Sequence, residues 1–233
     1  MEGSTNNTNV ANYEILAKYY DELLSNEEDL SLWIDYVKQK DCKDILELAS
    51  GSGLLAKRLK QEGYNVIASD ISKDMQEIAK NNFDGEYLLL NMIDYSLDKK
   101  FNLIICICDS FNYLYEEEIE SFIKCAYNHL NDNGRLIFDM HSIKRLAEFK
   151  QEFIEEGYLN DIAYYWTINS DDIDNTINQH FTFYTKDGMI QEHHTQYVYD
   201  TSLINEYMSK YFKTVIIEDF IEDEKVLVIG EKI

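Results

Sequence analysis

The 233-residue sequence contains no proline, only four cysteines and few basic side chains. Lysine and arginine together number 21 against 44 aspartate and glutamate residues, so the formal net charge is -23. A nucleic-acid-binding protein needs a cationic surface that displaces counterions from phosphates. The composition therefore disfavours DNA, RNA and anionic membranes as partners, and it is compatible with a neutral or cationic small substrate.

Long apolar runs are also missing. The longest, residues 103–108, is far too short to cross a bilayer and is typical of a buried strand. Two of the four cysteines, Cys106 and Cys108, alternate within this run, which predicts that they share a face of a sheet, and no second pair stands at metal-ligand spacing. Residues 1–10 lack the pattern of a secretory signal. We therefore expect a cytoplasmic protein with reduced thiols and no metal site.

Strand and helix patterns alternate through the first 140 residues. Two helices are predicted over 11–25 and 28–39. Predicted strands then follow over 44–49, 65–69, 86–90, 102–108 and 135–140, with helices between them over 54–62, 72–82 and 116–130. Such alternation predicts a parallel sheet that is covered by helices on both faces.

The pattern changes after residue 140. Residues 141–156 are typical of a helix and a linker, and three antiparallel strands are predicted over 162–169, 176–185 and 190–199, with a hairpin turn at Asp187-Gly188. A helix over 201–210 and an antiparallel pair over 212–220 and 225–229 complete the chain. We expect one core unit of residues 1–141 and 201–233, and a β-rich insertion of residues 142–200.

The strongest local motif is ILELASGSG over residues 45–53, which runs from a predicted strand into a predicted helix. Glycines there let a ligand approach the backbone closely. Gly51 and Gly53 with Ala56 also satisfy the G-x-G-x-x-A pattern of dinucleotide sites, so the loop alone does not identify the ligand. Glu47 before the glycines disfavours a pyrophosphate and suits a ligand with ammonium and sulfonium groups.

Two further acids follow neighbouring predicted strands. Asp70 ends the second strand, where a carboxylate can accept hydrogen bonds from both hydroxyls of a ribose. Asp94 follows the third strand, where it can accept from an adenine amino group while Met92 and Ile93 flank the ring. These residues predict a site for an adenosine-containing cofactor at the carboxyl ends of the strands.

With these motifs, residues 40–140 resemble the class I S-adenosylmethionine-dependent methyltransferases. The predicted C-terminal hairpin supports the resemblance, because it would place the last strand antiparallel in the sheet. The resemblance implies an α/β fold with a doubly wound, mostly parallel seven-stranded sheet and a small antiparallel β insertion. Ala49 stands where the family usually has glycine. The resemblance also implies that S-adenosylmethionine is held by Glu47, Ala49, Ser50, Gly51, Gly53, Asp70, Ile71, Met75, Met92, Ile93, Asp94 and Cys108.

The segment CDSFNYL over residues 108–114 resembles a subset of that family that acts on small molecules, including sugar N-methyltransferases, and carries a β insertion after the fifth strand. This predicts methyl transfer to a nitrogen or oxygen of a small-molecule acceptor. The catalytic candidates are His141 as a base, Asp109 as a residue that orients the acceptor, and Tyr20 as a cover of the methionine end. The aromatic residues of the insertion could form a lid or could simply pack that sheet: Tyr164, Tyr165, Trp166, Phe181, Phe183, Tyr197 and Tyr199.

Three alternatives compete with this interpretation. The first is a cofactor-binding sensor or partner protein without catalysis, and the second is a protein methyltransferase. The third is a nicotinamide oxidoreductase, which Glu47 and the terminal hairpin speak against. The sequence predicts neither the identity of the acceptor nor the oligomeric state.

Overall fold

The computed structural model describes residues 13–38, 42–160, 162–221 and 224–232. The helices in these ranges are α1 (Leu16–Leu24), α2 (Glu27–Lys38), α3 (Leu54–Gln61), α4 (Lys73–Asn82), α5 (Glu116–His129), α6 (Lys144–Glu148) and α7 (Thr201–Ser209), with a 3-10 turn at Ser110–Tyr113. The strands are β1 (Asp44–Leu48), β2 (Asn65–Asp70), β3 (Glu86–Leu89), β4 (Phe101–Cys106), β5 (Leu130–His141), β6 (Phe153–Leu159), β7 (Ile162–Asp171), β8 (Thr176–Thr185), β9 (Gly188–Tyr197), β10 (Phe212–Phe220) and β11 (Lys225–Lys232).

Seven strands form the central sheet in the order β10-β11-β5-β4-β1-β2-β3. Neighbouring strands from β3 across to β5 pair in parallel, whereas β11 pairs antiparallel with both β5 and β10. The strand order reverses beside β1, which opens a crevice at the carboxyl ends of β1 and β4. The doubly wound, mostly parallel sheet of seven strands is therefore confirmed, together with its antiparallel C-terminal strand.

Helices bury both faces of this sheet. On one face α2 and α3 contribute Trp33 and Leu59 to a cluster with residues of β1, β2 and β4. On the other face α5 and α7 contribute Phe122 and Met208 to a cluster with β4, β5 and β11. Because the central strands are covered on both sides, β4 is apolar at almost every position, as a buried parallel strand requires.

A second sheet of four antiparallel strands follows β5 in the order β6-β7-β8-β9, and we call it the lid sheet. A hairpin turn joins β8 to β9, with Thr185 paired to Gly188. The sequence interpretation missed β6, because residues 153–156 were expected to lie in a linker. FIEEGYL has no clean alternation of polar and apolar side chains, and β6 forms as an edge strand through backbone pairing with β7.

The end of β4 also differs from the expectation. The strand ends at Cys106, whereas Cys108 lies beyond it with a left-handed φ of 60°. The two cysteines therefore do not share a face of the sheet as predicted: Cys106 is buried and Cys108 is exposed. The left-handed turn at Cys108 and Asp109 swings the chain out of the sheet and over the crevice.

Helix α1 lies between the two sheets and is fixed to both. Its residues Ile15 and Leu16 pack with Phe181 and Phe183 of the lid sheet. On the core side, Asp21 of α1 accepts hydrogen bonds from the Ser52 hydroxyl and from the amide of Asn82, the latter at 3.0 Å. No helix in the described ranges is long and apolar enough to span a membrane.

Candidate active site

Three adjoining cavities open at the carboxyl ends of β1, β2, β4 and β5. The first, which we call the nucleoside lobe after the part of the cofactor expected there, lies beside Asp70, Met75 and Met92. The second, which we call the methionine lobe for the same reason, lies beside Glu47 and Ser50. The third cavity, which we call the lid pocket, lies between the crevice and the lid sheet. Tyr20 and Ser110 line all three cavities, so the three spaces meet at these two side chains.

The loop after β1 forms the floor of the first two lobes. Ala49, Gly51 and Gly53 all have left-handed φ angles, of 51°, 53° and 78°. Ser50 donates its N–H to the carbonyl of Ser69 at 2.8 Å, which ties the loop to the end of β2. Gly51 and Ala49 line both lobes. This geometry turns the chain sharply into α3 and leaves the backbone open to a ligand.

Gly53 has a packing function. A Cβ at this position would lie 3.2 Å from the Cβ of Phe83 and 3.4 Å from that of Ala79, so glycine lets α3 begin close to α4. Gly53 is not among the residues that line either lobe. The contact of Gly53 with a cofactor stays a prediction, and the packing against α4 by itself requires a glycine here.

Asp70 organises the loop from the end of β2. Its carboxylate accepts the N–H of Gly51 and the N–H of Ser72, both at 2.9 Å. Burial raises its pKa above the usual value, although these hydrogen bonds oppose the shift. A carboxylate offers about four lone-pair positions, more than these two hydrogen bonds use, so it can also accept from the hydroxyls of a ribose in the nucleoside lobe.

Glu47 is a buried carboxylate at the methionine lobe. Burial raises its pKa to about 8, and the negative charge of Asp70 adds to the shift. The nearby Ser50 hydroxyl opposes this shift, and the Oε2 atom of Glu47 is buried without a partner at normal hydrogen-bond distance in the described part of the chain. Such orphaned polar atoms are costly unless a ligand satisfies them, and the ammonium of a methionine group fits Glu47 in charge and hydrogen-bonding capacity.

The turn after β3 brings only part of the predicted adenine site to the nucleoside lobe. Asn91 and Met92 line the lobe, whereas Ile93 and Asp94 do not. The Asn91 side chain accepts the N–H of Ile93 at 3.2 Å, and the Asp94 N–H donates to the Asn91 carbonyl, also at 3.2 Å. This tight turn carries Asp94 to an exposed position outside the lobe, and Asn91 and Met92 are the residues of the turn that border it.

The structure brings most of the other predicted cofactor residues to the two lobes. Asp70, Ile71 and Met75 line the nucleoside lobe, and Cys108 lines the methionine lobe. Sequence reasoning missed further residues of the nucleoside lobe, because they lie on loops and helix ends whose proximity only the fold creates: Tyr13, Leu90, Asn91, Ser110, Tyr113, Leu114 and Glu118.

Tyr20 covers the glycine loop from α1. Its Cε1 atom lies 3.9 Å from the position that a Cβ on Gly51 would occupy. Its neighbour Tyr19 points elsewhere and stacks on Phe183 of the lid sheet, with ring centroids 6.3 Å apart. Of these two adjacent tyrosines, α1 therefore brings Tyr20 to the cavities.

The floor of the lid pocket carries a cluster of charges. Lys225 of β11 lies 2.9 Å from an oxygen of Asp139 and 3.1 Å from an oxygen of Asp109. Burial raises the pKa of Asp139 to about 6 despite the neighbouring ammonium. Burial also opposes ionisation of Asp109, but His141, whenever its ring is protonated, and the ammonium of Lys225 outweigh it and hold the Asp109 pKa below its usual value. Asp109 is therefore the anionic end of this cluster at neutral pH.

His141 lies beside this carboxylate at the end of β5. Its side chain is only 5% exposed, and its Nδ1 atom is 3.5 Å from Asp109 Oδ1. On the other side, Nε2 lies 3.0 Å from Gln196 Oε1, an acceptor, so Nε2 carries the proton and Nδ1 keeps its lone pair. Burial lowers the pKa of His141 below its usual value, partly offset by Asp109. A neutral ring with a free lone pair can accept a proton at neutral pH.

Asn112 and the lid aromatics complete the pocket. Asn112 is fully buried and serves the loop: its amide donates to the Tyr197 carbonyl at 2.6 Å, and its Oδ1 accepts the His141 N–H at 2.9 Å. Of the seven aromatic residues proposed for a lid, Trp166 and Phe181 line the pocket, stacked with centroids 5.2 Å apart. The other five are absent from its lining.

A chain of hydroxyl and imidazole groups links the segment before α1 to the lid sheet. The Tyr13 hydroxyl donates to that of Tyr113 at 3.2 Å, and Tyr113 Oη lies 3.1 Å from Nδ1 of His194. His194 is buried in the pocket wall, whereas His193 lies on the outer face beside His180. Neighbouring residues of a strand point to opposite faces of its sheet, so only one of these two histidines reaches the pocket.

Comparison with known proteins places this site in context. Residues 45–134 match the family of methyltransferase domains. A protein of Geobacillus sp. that is named as a methyltransferase is 30% identical over 187 residues, which is 75% of each chain. A glycine/sarcosine N-methyltransferase of Parasynechococcus marenigrum is 28% identical over 130 residues, 52% of this chain and 46% of that enzyme. The crystal structure of a sugar N-methyltransferase from a Streptoalloteichus species has the same fold, with a TM-score of 0.81 at 14% identity, over 100% of this chain and 98% of that chain.

Proposed function

Because the chain belongs to the class I S-adenosylmethionine-dependent methyltransferases, we propose that it transfers a methyl group to a nitrogen or oxygen of a small-molecule acceptor held in the lid pocket. The observation that carries the proposal is the arrangement of the lid pocket. It adjoins the methionine lobe at Cys108 and Tyr20, and the lid sheet and α1 cover it. A covered cavity suits a small acceptor better than a segment of another protein.

The cofactor is assigned to the two lobes by the chemistry of their walls. Glu47 would hold the ammonium of the methionine end, and the backbone of Ala49, Ser50 and Gly51 would lie beneath it. Asp70 would accept the ribose hydroxyls, with Ile71 and Met75 beside it. S-adenosylmethionine supplies an already activated methyl group, so the protein has to position the acceptor and exclude water.

The side chains of the lid pocket would prepare the acceptor. Asp109 orients the acceptor atom through a hydrogen bond to its Oδ1, and His141 Nδ1 takes a proton from an acceptor that arrives protonated. Tyr20 closes the junction between the methionine lobe and the lid pocket. Its phenol stays protonated at any physiological pH, because burial raises its pKa well above the usual value.

Calorimetry with S-adenosylmethionine, S-adenosylhomocysteine and NADH tests the cofactor assignment first. We expect the two adenosyl compounds to bind and NADH not to bind. Asp70→Ala should cost about 1.5–3 kcal/mol of cofactor affinity, because a charged hydrogen-bond acceptor is lost. The exposed Asp84→Ala serves as the control, with unchanged affinity expected. Unchanged affinity of Asp70→Ala would show that Asp70 is not the ribose ligand.

Turnover separates this proposal from the sensor alternative. A panel of small amines and hydroxyl compounds is incubated with S-adenosylmethionine, and the release of S-adenosylhomocysteine is measured. Acceptor-dependent release that falls in His141→Gln and Asp109→Asn supports catalysis in the lid pocket. Tight cofactor binding without release on any acceptor, protein substrates included, would favour a cofactor-binding protein without catalysis.

A further inference from the structure

The lid pocket carries an unusual concentration of unsatisfied polar atoms. Five buried atoms in its wall have no hydrogen-bond partner in the described part of the chain: Asp109 Oδ1, His141 Nδ1, Arg145 Nε, Trp166 Nε1 and His194 Nε2. Two accept hydrogen bonds, and they lie 3.5 Å apart at the floor. The arginine, the indole and the imidazole nitrogen donate. Since buried polar atoms are normally paired, the pocket is built for a ligand that both donates and accepts hydrogen bonds.

The charges of the lid pocket disfavour the binding of an anionic ligand. Lys225 and Arg145 are the two cationic side chains in its lining among the described residues. Lys225 is already held between two carboxylates, Asp109 at 3.1 Å and Asp139 at 2.9 Å. It is almost fully covered, with a side-chain exposure of 13%. The positive charge of this ammonium is therefore already balanced by carboxylates of the protein.

Arg145 is balanced in the same way. One of its terminal nitrogens lies 2.9 Å from Glu148 and 3.1 Å from Glu224. Its guanidinium also rests on the ring of Phe149, 4.5 Å from the ring centroid. Each cation is thus matched by two carboxylates, and Asp29 adds a further acid to the lining. The pocket as a whole is anionic, so it attracts a cation and repels a carboxylate.

We infer that the acceptor is an amine whose body carries hydroxyl groups and no carboxylate. The ammonium end lies at Asp109 Oδ1 and His141 Nδ1, and the hydroxyl oxygens accept from Arg145 Nε, Trp166 Nε1 and His194 Nε2. This inference rests on the proposed function and names its substrate class. It disfavours free amino acids as acceptors, because each of the two cations in the lining already lies beside two carboxylates.

The reaction balances with these groups. The acceptor ammonium transfers one proton to His141 Nδ1 and becomes a neutral amine. Its nitrogen forms a bond to the methyl carbon while the bond between that carbon and sulfur breaks, and the electron pair stays on sulfur. The products are S-adenosylhomocysteine and a methylated ammonium ion, and the proton on His141 passes to water when the pocket opens.

A matched set of three small probes tests the inference by equilibrium binding. Serinol carries an amine and two hydroxyl groups, serine replaces one hydroxymethyl group with a carboxylate, and glycerol replaces the amine with a hydroxyl group. Their affinities are measured by ligand-observed NMR on the protein loaded with S-adenosylhomocysteine. We expect serinol to bind about tenfold more tightly than either of the other two, as a close charge pair allows.

Two substitutions show where the preference arises. Asp109→Asn should abolish the advantage of serinol over glycerol. Glu224→Gln removes one of the two acids beside Arg145 at a partly exposed position, and it should improve serine binding severalfold while serinol is unchanged. The exposed Asp98→Asn is the control for both. The advantage of serinol is the tested quantity, so equal binding of serinol and glycerol, or preferred binding of serine, would overturn the inference.

Failure of the inference is distinguishable from failure of the proposed function. The proposed function fails if neither S-adenosylmethionine nor S-adenosylhomocysteine binds, before any probe is added. The inference fails if the cofactor binds and the three probes do not separate by charge.

Discussion

His141 Nε2 and Gln196 Oε1 lie 3.0 Å apart, so a side chain of the lid sheet fixes the tautomer of a histidine on the central sheet. Gln196 is itself oriented by two contacts. Its amide donates to the Asp109 carbonyl at 3.1 Å, and its oxygen accepts from Gln179 at 2.9 Å. The lone pair on His141 Nδ1, which the proposed chemistry needs, therefore depends on the lid sheet.

Replacing Gln196 with glutamate should change the pH dependence of catalysis through the pKa of His141. An adjacent carboxylate favours the protonated imidazole and therefore raises the pKa of His141. The base must be neutral to act, so the acid limb of the kcat/KM profile should move to higher pH, and activity lost at neutral pH should return at alkaline pH. Gln191→Glu on the exposed side of the same strand is the control. An acid limb that does not move would argue against His141 as the base.

Glu47 should release a proton when the cofactor binds. Its pKa of about 8 keeps the free carboxyl largely protonated at pH 7, whereas a ligand ammonium favours the ionised form. Cofactor affinity should therefore rise with pH from 6 to 8. Calorimetry of S-adenosylhomocysteine in buffers of different ionisation enthalpy measures the protons released at pH 7. Glu47→Gln should release none and lose the pH dependence, and proton release equal to that of the unaltered protein would rule out Glu47 as the source.

The same carboxyl links stability to pH in the free protein. The pKa of Glu47 in the folded protein, about 8, lies above the unfolded value near 4.5. Between these two pH values the folded state therefore binds more protons than the unfolded state. The associated stability is fully present below pH 4.5 and is lost as the pH rises through about 8. Glu47→Gln should therefore be more stable than the unaltered protein at pH 9, by urea denaturation. Equal denaturation midpoints at pH 9 would contradict the raised pKa.

Ala49 occupies a conformation that suits glycine. Its φ is 51°, and a left-handed residue with a Cβ costs about 1–2 kcal/mol. Replacing the alanine with glycine removes this strain. The greater freedom of glycine in the unfolded chain, however, lowers the resulting gain in stability by about 0.4–1 kcal/mol. Ala49→Gly should therefore stabilise the protein by about 0.5–1 kcal/mol in urea denaturation. The control Ala147→Gly, on the exposed helix α6, should destabilise it by about 1 kcal/mol. A loss of stability in Ala49→Gly would show that the loop does not strain the alanine.

Glu192 of the lid sheet caps the start of α1. Its buried carboxylate accepts the N–H of Ile15 at 2.6 Å and that of Leu16 at 3.3 Å. Glu192→Ala should lower stability by about 2 kcal/mol, because two backbone donors lose a charged partner, and Glu192→Gln should cost less. Hydrogen exchange at Ile15 and Leu16 should accelerate in Glu192→Ala. Protection that stays unchanged at these amides would show that the cap does not hold the helix.

The sequence was sufficient for the core architecture because its signals are local. The glycine loop, the acid at the end of β2 and the alternation of strand and helix each depend on neighbouring residues. Among the strands of the described residues, β6 is the one that the sequence did not predict, since an edge strand with charged residues on both faces carries little periodic signal. The predicted end of β4 lies too far along the chain, because the turn at Cys108 is made by non-glycine residues in left-handed conformations. Without a glycine, the sequence carries no signal of this turn.

The site was less accessible to sequence reasoning where it depends on contacts across the chain. His141 and Asp109 stood out because they follow strands, but their partner Lys225 is 84 positions beyond His141 and had no motif of its own. Gln196, Arg145 and Trp166 belong to the lid pocket only because the lid sheet folds back over the crevice. Asp94 was predicted from its distance along the chain to β3, and one tight turn was enough to carry it away from the nucleoside lobe.

The position of Tyr20 has a kinetic consequence. One side chain of α1 borders the nucleoside lobe, the methionine lobe and the lid pocket, and α1 is bound to the lid sheet through Glu192. If spent cofactor leaves past this helix, the same movement uncovers the acceptor. An acceptor that takes two methyl groups would then return to solution after the first, so successive methylations would be distributive, and the singly methylated compound would accumulate early in the reaction.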